Sequence, residues 1–204
     1  VAWYKFDGDF TDSSGNGNDL TIGGGTPTIS TTEYKINNSA SSASFINNYS
    51  YLTTSSISLS NKAFSVCVWV KATKNSNSSY FLSQGSGTTQ RQHLHIGFNV
   101  SSGVVKYNLA FWADDLLTTE NYVSDLNNWV HLVYLVESNF NRKIYRNGTL
   151  IASDTNLEAF ISNDDLKIGT RYSTLHGYYD FEGYLDDLRI YNIALTDEEV
   201  FNLY

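Results

Sequence analysis

Hydrophobic and polar residues alternate with a period of two along most of this chain, which is the pattern of β-strands that bury one face. The segments that show it are, in chain order, 2–6, 43–51, 56–59, 64–70, 80–83, 93–99, 104–112, 129–136, 143–146, 149–151, 166–169 and 181–191. Residues that favour turns separate them, and Asn147-Gly148 between two apolar runs is a strong signal for a β-hairpin. The pattern predicts an all-β fold, a two-sheet antiparallel β-sandwich of the jelly-roll type.

The last strand of this pattern, residues 181–191, contains an unusual carboxylate. By strict alternation Asp186 shares a face with Leu188 and Ile190, which are core residues by type. A charge on a buried face is costly unless it is paired, hydrogen-bonded or bound to a metal. We therefore expect Asp186 to have a specific partner.

A short helix is predicted directly after this strand. Thr196 has the residue type of an N-cap, and Glu199 three positions later completes the pattern of a capping box. Val200 and Leu203 supply the apolar stripe. The chain is expected to end in a helix that covers one edge of the sandwich.

Length and charge restrict the classes of function. The 204 residues are predicted to form a single domain, 1–204, and the net charge of −8 argues against a nucleic-acid or anionic-membrane partner. No apolar run approaches the roughly 20 residues that span a bilayer, so membrane insertion is not expected. The sequence has no initiator Met or signal peptide, and we expect a mature part of a larger, secreted or cell-surface protein. The single cysteine, Cys67, is expected to be a buried apolar residue.

Several motifs follow one another in a specific order. They read D-S-S-G-N-G-N-D, F-S-V-C-V-W-V, N-N-W-V-H-L-V-Y, K-I-Y-R-N-G-T-L-I, L-K-I-G, F-E-G-Y-L-D-D-L-R-I-Y and A-L-T-D-E-E-V. This series resembles the laminin-G-like domains of the concanavalin A-like lectin/glucanase superfamily, in particular the bacterial-type group found in secreted multidomain proteins. The resemblance implies a jelly roll whose N- and C-terminal strands pair, a structural Ca²⁺ ion, and a role in binding glycans or protein ligands. Residues 85–125 match no family pattern, so ligand specificity is not carried over.

A turn after the first strand is dense in oxygen ligands. Asp9, Asp12, Asn16 and Asn18 lie among glycines that let the backbone curve around an ion, and Ca²⁺ takes about six to eight oxygen ligands. The alternative is a solvated turn whose side chains bond their own backbone. The family resemblance implies that the strand of Asp186 runs beside the N-terminal strand, so that one Ca²⁺ ion would engage both the turn and the acid. We predict a structural calcium site formed by Asp9, Asp12, Asn16, Asn18 and Asp186.

A second group of residues has the chemistry of a carbohydrate site. Aromatic rings pack against the apolar face of a sugar, and nearby polar groups bond its hydroxyls. The predicted ligand-binding residues are His93, Trp112, Arg171, Tyr172, His176, Tyr178 and Tyr179. The alternative for each aromatic residue is a core or structural surface position. His93 and His95 also have the spacing of two metal ligands, but the sequence offers no third ligand at a suitable spacing, and we favour contact with a bound ligand.

Enzymatic functions have little support in the sequence. The E-x-D-x-x-E strand motif of related glucanases is absent, and so are the motifs of serine hydrolases, phosphate-binding loops and dinucleotide sites. We predict a non-catalytic, calcium-stabilised, extracellular, lectin-like module that binds carbohydrate as a glycan or other cell-surface ligand. A protein-interaction or cell-adhesion domain without a sugar site is the alternative, and a degenerate glycan hydrolase or lyase is a third reading.

Overall fold

The computed structural model describes residues 1–36, 40–46, 49–74, 78–87, 89–155, 158–173 and 177–204, apart from the side chain of Ser173. These residues form seventeen strands, one 3₁₀ turn (Val123–Asp125) and one helix, α1 (Asp197–Leu203). The strands are β1 (Ala2–Tyr4), β2 (Thr21–Gly24), β3 (Thr28–Ser30), β4 (Ser42–Ser44), β5 (Tyr51–Thr54), β6 (Phe64–Ala72), β7 (Ser79–Gly85), β8 (His93–Ser101), β9 (Val104–Ala110), β10 (Asp115–Leu117), β11 (Val130–Val136), β12 (Arg142–Arg146), β13 (Thr149–Asp154), β14 (Leu166–Ile168), β15 (Thr170–Ser173), β16 (Gly177–Asp180) and β17 (Gly183–Tyr191).

The strands form two sheets that pack face to face. Sheet A has the order β13-β12-β11-β6-β17-β4-β3, with β1 paired to β17. Sheet B has the order β10-β9-β8-β7-β14-β5-β2, with the hairpin β15–β16 joined to β7. The pairings are antiparallel except for the short contact of β16 with β7. The prediction of an all-β, two-sheet sandwich with a C-terminal helix is confirmed.

The core lies between the two sheets and follows from the alternation of the strands. In sheet B, Leu82, Ile96 and Leu109 are cross-strand neighbours and are fully buried. Val68 and Leu132 of sheet A belong to the same core cluster. The next position along each strand points to the opposite, outer face of its sheet, and the outer face of sheet B is where the candidate site lies.

Two local predictions are confirmed near the ends of the sandwich. Asn147 and Gly148 join β12 to β13 with φ angles of 49° and 74°, which is the left-handed backbone of a type I′ turn. The side chain of Thr196 accepts a hydrogen bond from the backbone N–H of Glu199, and the side chain of Glu199 accepts one from the backbone N–H of Thr196. β1 also pairs with β17, so the two chain ends meet as the family resemblance implies.

The helix α1 covers the outer face of sheet A. Its buried residue Val200 packs in a small cluster with Cys67 of β6 and Val133 of β11. Cys67 is 1% exposed, which confirms the expectation of a buried residue. With seven residues α1 is far too short to cross a bilayer, and the described part of the chain contains no helix long and apolar enough to do so.

The position of Asp186 differs from strict alternation. β17 contains a β-bulge at Asp187, which has a φ of 49°, and the register with β6 shifts there. Leu185 before the bulge and Leu188 after it both belong to the core, whereas Asp186 lies opposite Trp69 on the outer face of sheet A. The expectation that Asp186 shares the core face of Leu188 is therefore wrong, because the extra residue reverses the phase of the alternation.

Two predicted strands have different boundaries in the structure. The segment 43–51 contains part of β4 and only the first residue of β5, and the segment 56–59 is not a strand. Ile57 and Leu59 are nevertheless buried. Their backbone groups bond the side chain of Gln84, which accepts from the N–H of Leu59 and donates to the carbonyl of Ile57, both at 2.8 Å. The alternation at 56–59 thus reflects the burial of a loop. The backbone groups of this loop are hydrogen-bonded by a side chain and not by a neighbouring strand.

Candidate functional site

The outer face of sheet B carries a cluster of polar and aromatic side chains. His95 of β8 and Asn108 of β9 alternate with core residues and therefore face outwards. Tyr80 of β7 pairs with Gly97, which in turn pairs with Asn108. The register of β7 shifts at Phe81, so that Phe81 and the next residue both enter the core while Tyr80 faces outwards.

Arg171 of β15 stacks on three aromatic rings of this face. Its guanidinium carbon lies 4.6 Å from the ring centroid of Trp112, 4.9 Å from that of Tyr179 and 5.4 Å from that of Tyr80. These are cation–π distances. The arginine is 4% exposed, and burial lowers its pKa. Among the described residues neither Nε nor Nη2 has a hydrogen-bond partner.

Two neutral histidines lie beside the arginine. His93 is stacked on Trp112 with ring centroids 6.3 Å apart, and His95 meets Tyr80 edge-on at 4.7 Å. Burial, and then the positive charge of Arg171, lower the pKa of His93 to about 3 and hold that of His95 well below its usual range. Both rings are therefore uncharged at neutral pH and contribute hydrogen-bonding groups only.

Some of these polar groups lack partners. Within the described ranges, the two ring nitrogens of His93 and both side-chain polar atoms of Asn108 make no hydrogen bond, although the two residues are fully buried. The backbone of Gly87 lies close enough to His93 to oppose the lowering of its pKa, but not in hydrogen-bond geometry. Buried polar groups are nearly always paired in folded proteins, so this face has unused capacity for a polar ligand. We call it the arginine site, and it consists of Tyr80, His93, His95, Asn108, Trp112, Arg171 and Tyr179.

The turn between β9 and β10 holds Trp112 in place. Trp112 and Ala113 have φ angles of 58° and 55°, a left-handed backbone that residues other than glycine adopt at a cost. The turn is fixed by hydrogen bonds from the N–H of Arg91 to the carbonyl of Trp112 (3.2 Å) and from the N–H of Phe111 to the carbonyl of Asp114 (2.9 Å). Local strain of this kind often accompanies a functional position.

A second aromatic group, the tyrosine patch, consists of Tyr49, Tyr51, Tyr172 and Tyr178. The ring centroid of Tyr178 lies 4.9 Å from that of Tyr172, 5.6 Å from that of Tyr49 and 6.2 Å from that of Tyr51. Tyr49 and Tyr178 are 59% and 41% exposed. Tyr51 lies flat against Gly23, where a Cβ atom would come within 2.1 Å of its ring. The patch is therefore a partly exposed aromatic platform seated on glycine backbone.

The predicted ligand-binding residues fall into these two groups. The arginine site contains His93, Trp112, Arg171 and Tyr179, and the tyrosine patch contains Tyr172 and Tyr178. His176 lies outside the described residues. Tyr80 and Asn108 were not among the predicted residues. Asn108 is detectable as a polar position on the outer face of a period-two strand, whereas the orientation of Tyr80 depends on the bulge in β7.

Asp12 organises the acidic turn that follows β1. Its Oδ1 accepts hydrogen bonds from the backbone N–H groups of Trp3 and Ser14, both at 2.9 Å. Its Oδ2 accepts from the hydroxyl of Ser14 at 2.9 Å and from the backbone N–H of Asn18 at 3.0 Å. Partial burial by itself would raise the pKa of Asp12. The hydrogen bonds to the carboxylate have the larger combined effect, and the pKa is lowered to about 2.

The other predicted calcium ligands of the turn are also engaged locally. Asp9 Oδ1 accepts from the backbone N–H and the hydroxyl of Thr11. The side-chain amides of Asn16 and Asn18 donate to the carbonyl oxygen of Val1, at 3.1 and 2.8 Å. This is the hydrogen-bonded turn that the sequence left open as the alternative to a metal loop.

Asp186 lies in a different environment. Its Oδ2 accepts from the backbone N–H groups of Lys35 (2.9 Å) and Ile36 (3.0 Å), while Oδ1 is buried without a partner among the described residues. Burial raises the pKa of Asp186 to about 6. It lines a cleft together with Lys5, Asp7 and Arg189. The part of the chain that the structure describes contains no cluster of three or more His, Cys, Asp or Glu side chains suited to a metal, and the calcium site of Asp9, Asp12, Asn16, Asn18 and Asp186 stays a prediction.

A family model places these features in context. The model described as the concanavalin A-like lectin/glucanases superfamily (Laminin_G_3) matches residues 47–201. The chain belongs to this laminin G family. The arginine site and the tyrosine patch both lie within the matched part of this laminin G chain, whereas the turn of Asp9 to Asn18 lies before it.

Solved structures share the fold of this laminin G domain. Domain 4 of AbnA, a GH43 extracellular arabinanase from Geobacillus stearothermophilus solved in complex with arabinotriose, is 25% identical with a TM-score of 0.75, and the match covers 99% of this chain and 96% of that one. The botulinum neurotoxin type G receptor binding domain is 18% identical with a TM-score of 0.70, and this chain, matched over its full length, covers half of it. The CBM40 of a Ruminococcus gnavus IT-sialidase, bound to α2,3 sialyllactose, is 21% identical with a TM-score of 0.54, covering 70% of this chain and 82% of that one. The last two likenesses concern the fold alone. No curated protein sequence matches the chain.

Proposed function

We propose that this laminin G domain is a non-catalytic module that binds carbohydrate on the outer face of sheet B. The observation that carries the proposal is the set of buried polar groups without partners on Arg171, His93 and Asn108, enclosed by aromatic rings. A buried donor or acceptor left unsatisfied costs about 1–3 kcal/mol. A ligand rich in hydroxyl groups would supply the missing partners, and the rings would pack against its apolar faces.

The tyrosine patch is a separate aromatic surface on the same hairpin. In the hairpin β15–β16, Arg171 pairs with Tyr179 and Tyr172 pairs with Tyr178, and neighbouring positions of a strand point to opposite faces, so the patch lies on the other face of the hairpin from Arg171. The exposed rings of Tyr49 and Tyr178 offer stacking area there. The patch is therefore a second contact surface for a glycan and not a continuation of the arginine site.

The likeness to the arabinanase domain supports an extracellular, modular role. That domain is one of several in a secreted enzyme, and the match covers nearly all of both chains. We extend from it the proposal that this chain is a glycan-binding part of a larger secreted or cell-surface protein. Arabinotriose, bound by that relative, is the natural first ligand to test.

The arginine site is not equipped for glycoside hydrolysis. That reaction uses a pair of carboxyl groups on either side of the glycosidic bond. The buried polar groups of the arginine site are a guanidinium, two neutral imidazoles, an amide and the phenol of Tyr80. We propose that the domain binds glycans without cleaving them, and release of reducing ends from a bound polysaccharide by the pure domain would contradict this.

A glycan array followed by calorimetry tests the proposed function. Trp112→Ala and Tyr178→Ala should each weaken binding about three- to tenfold, since an aromatic stacking contact contributes about 0.5–1.5 kcal/mol. Phe201→Ala is the matched control, because Phe201 is an aromatic residue of α1 that is 66% exposed and lies on the side of sheet A. If both site variants bind like the wild type, the site lies elsewhere. Absence of any glycan ligand would favour the alternative of a protein-interaction domain.

Calcium is a separate proposal. We propose that a structural Ca²⁺ ion is held at Asp186 and not in the acidic turn, since Asp186 Oδ1 lacks a partner among the described residues and Asp7 shares its cleft. An ion that binds only the folded state raises stability by about 2.7 kcal/mol at a hundredfold excess over Kd. The melting temperature should therefore fall in chelator, and Asp186→Ala should abolish that fall. Equal melting temperatures of the wild type in Ca²⁺ and in chelator would contradict the proposal.

A further inference from the structure

Arg171 differs from the other arginines of this chain. Each of the others forms an ion pair with at least one carboxylate. The pairs are Arg91–Asp114, Arg142–Asp154, Arg146–Asp125 and Arg189–Asp187. Within the described residues Arg171 forms no ion pair, although it is 4% exposed. Its neighbours are the faces of three aromatic rings.

The described surroundings of Arg171 provide no ion pair for its charge. Cation–π contacts return only part of the free energy lost when a charge leaves water, which is several kcal/mol even after relaxation of the protein. Asp115 of β10 lies on the same face, opposite Ala110 and beyond it His95, and its charge raises the pKa of Arg171, but the two side chains form no ion pair. The nearby His93 and His95 are uncharged, and the charge of Lys167 on the same face also lowers the pKa of His93, so the net charge around Arg171 is positive.

The unpaired atoms of Arg171 have a definite shape. Nε and Nη2 form one planar edge of the guanidinium, and this edge binds a carboxylate through two parallel N–H···O bonds. A densely charged polyanion is disfavoured, because the chain as a whole carries a net charge of −8.

We infer that the glycan recognised by this domain carries a carboxylate, as uronic and sialic acids do, and that this group binds the Nε–Nη2 edge of Arg171. The inference rests on the proposed carbohydrate site and adds the chemical class of its ligand. Trp112 and Tyr179 would then flank the sugar ring that bears the acid, and His93 and Asn108 would bond its hydroxyls. Because Nε and Nη2 are covered in the free protein, the side chains around this edge have to move when the ligand enters.

Calorimetry with matched ligands tests the inference on the wild-type protein. The probes are trigalacturonate and 3′-sialyllactose, each measured beside its methyl ester, which keeps the sugar and removes the charge. At least one acid should bind, and its ester should bind ten or more times more weakly. Failure of both acids to bind, or equal affinity of acid and ester, would overturn the inference. Binding of the neutral arabinotriose in that case would leave the proposed function standing.

Variants locate the effect at the guanidinium. Arg171→Gln should remove the difference between acid and ester, and Arg171→Lys should restore only part of it, because an ammonium group keeps the charge but not the planar pair of donors. Lys106→Gln is the control, since it removes one positive charge from the same face of β9 as Asn108 without touching the arginine site. A preference for the acid that survives in Arg171→Gln would contradict the assignment. Thermal unfolding of each variant shows whether it is folded, and the comparison of acid with ester does not depend on any variant.

Discussion

The carboxylate of Asp12 offers the sharpest test of how the N-terminal turn is held. In this structure it is a hydrogen-bond acceptor for four donors, three of them backbone N–H groups. Asp12→Ala removes all four acceptor contacts. Asp12→Asn keeps a carbonyl oxygen for the two donors at Oδ1, Trp3 and Ser14, and loses the two at Oδ2.

The expected loss of stability follows from the number of bonds. Asp12 is partly exposed, so water replaces some of the lost contacts, and each bond contributes about 0.5–1 kcal/mol. Asp12→Ala should lower the free energy of unfolding by about 2–4 kcal/mol and Asp12→Asn by about half of that. Asp9→Ala is the matched control, because Asp9 is exposed and, among the described residues, its side chain bonds Thr11 alone; its effect should be the smallest of the three.

Urea unfolding at neutral pH, followed by tryptophan fluorescence, measures these differences. Each protein is examined in Ca²⁺ and in chelator. The hydrogen-bond account predicts the same loss in both, since the donors of the turn are present with or without an ion. A loss that appears only in Ca²⁺ would show that Asp12 acts as a metal ligand and would refute this reasoning. An Asp12→Ala variant as stable as the wild type would refute it equally.

Two further predictions concern buried titratable groups. Burial lowers the pKa of His93 from 6.5 to about 3, so the unfolded chain binds the proton more tightly, and the stability that this group contributes above pH 6.5 is lost as the pH falls towards 3. At pH 4 the loss in the free energy of unfolding amounts to about 3 kcal/mol. Urea unfolding at pH 7 and pH 4 should therefore show that the stability of His93→Gln depends less on pH than that of the wild type. The same pH dependence in both proteins would contradict the burial of His93. Burial also raises the pKa of the Cys67 thiol to about 12, so at pH 8 a disulfide reagent should modify Cys67 only in denaturant, and rapid modification of the native protein would mean that α1 does not cover it.

Short-range patterns in the sequence determined the class of fold and its local connections. Alternation between polar and apolar residues is a property of each strand by itself, and it identified most of the long strands of the two sheets. The turn at Asn147-Gly148 and the capping box at Thr196 depend on the conformational preferences of a few adjacent residues, and both are present as expected. The order of the motifs further indicated the family, which the match over residues 47–201 confirms.

Tertiary structure decided which residues meet at the candidate site. Trp112, Arg171 and Tyr179 were selected for their chemistry, but only the pairing of distant strands shows that they form one stack. Tyr80 joins them because of a bulge in β7, and Asp186 leaves the core because of a bulge in β17. A bulge adds one residue to one strand and is set by the register with its neighbour, so no period-two pattern along a single strand records it. Likewise, the lack of an ion pair at Arg171 among the described residues is a property of the assembled face of sheet B, because counterions come from any part of the chain that folding brings within reach.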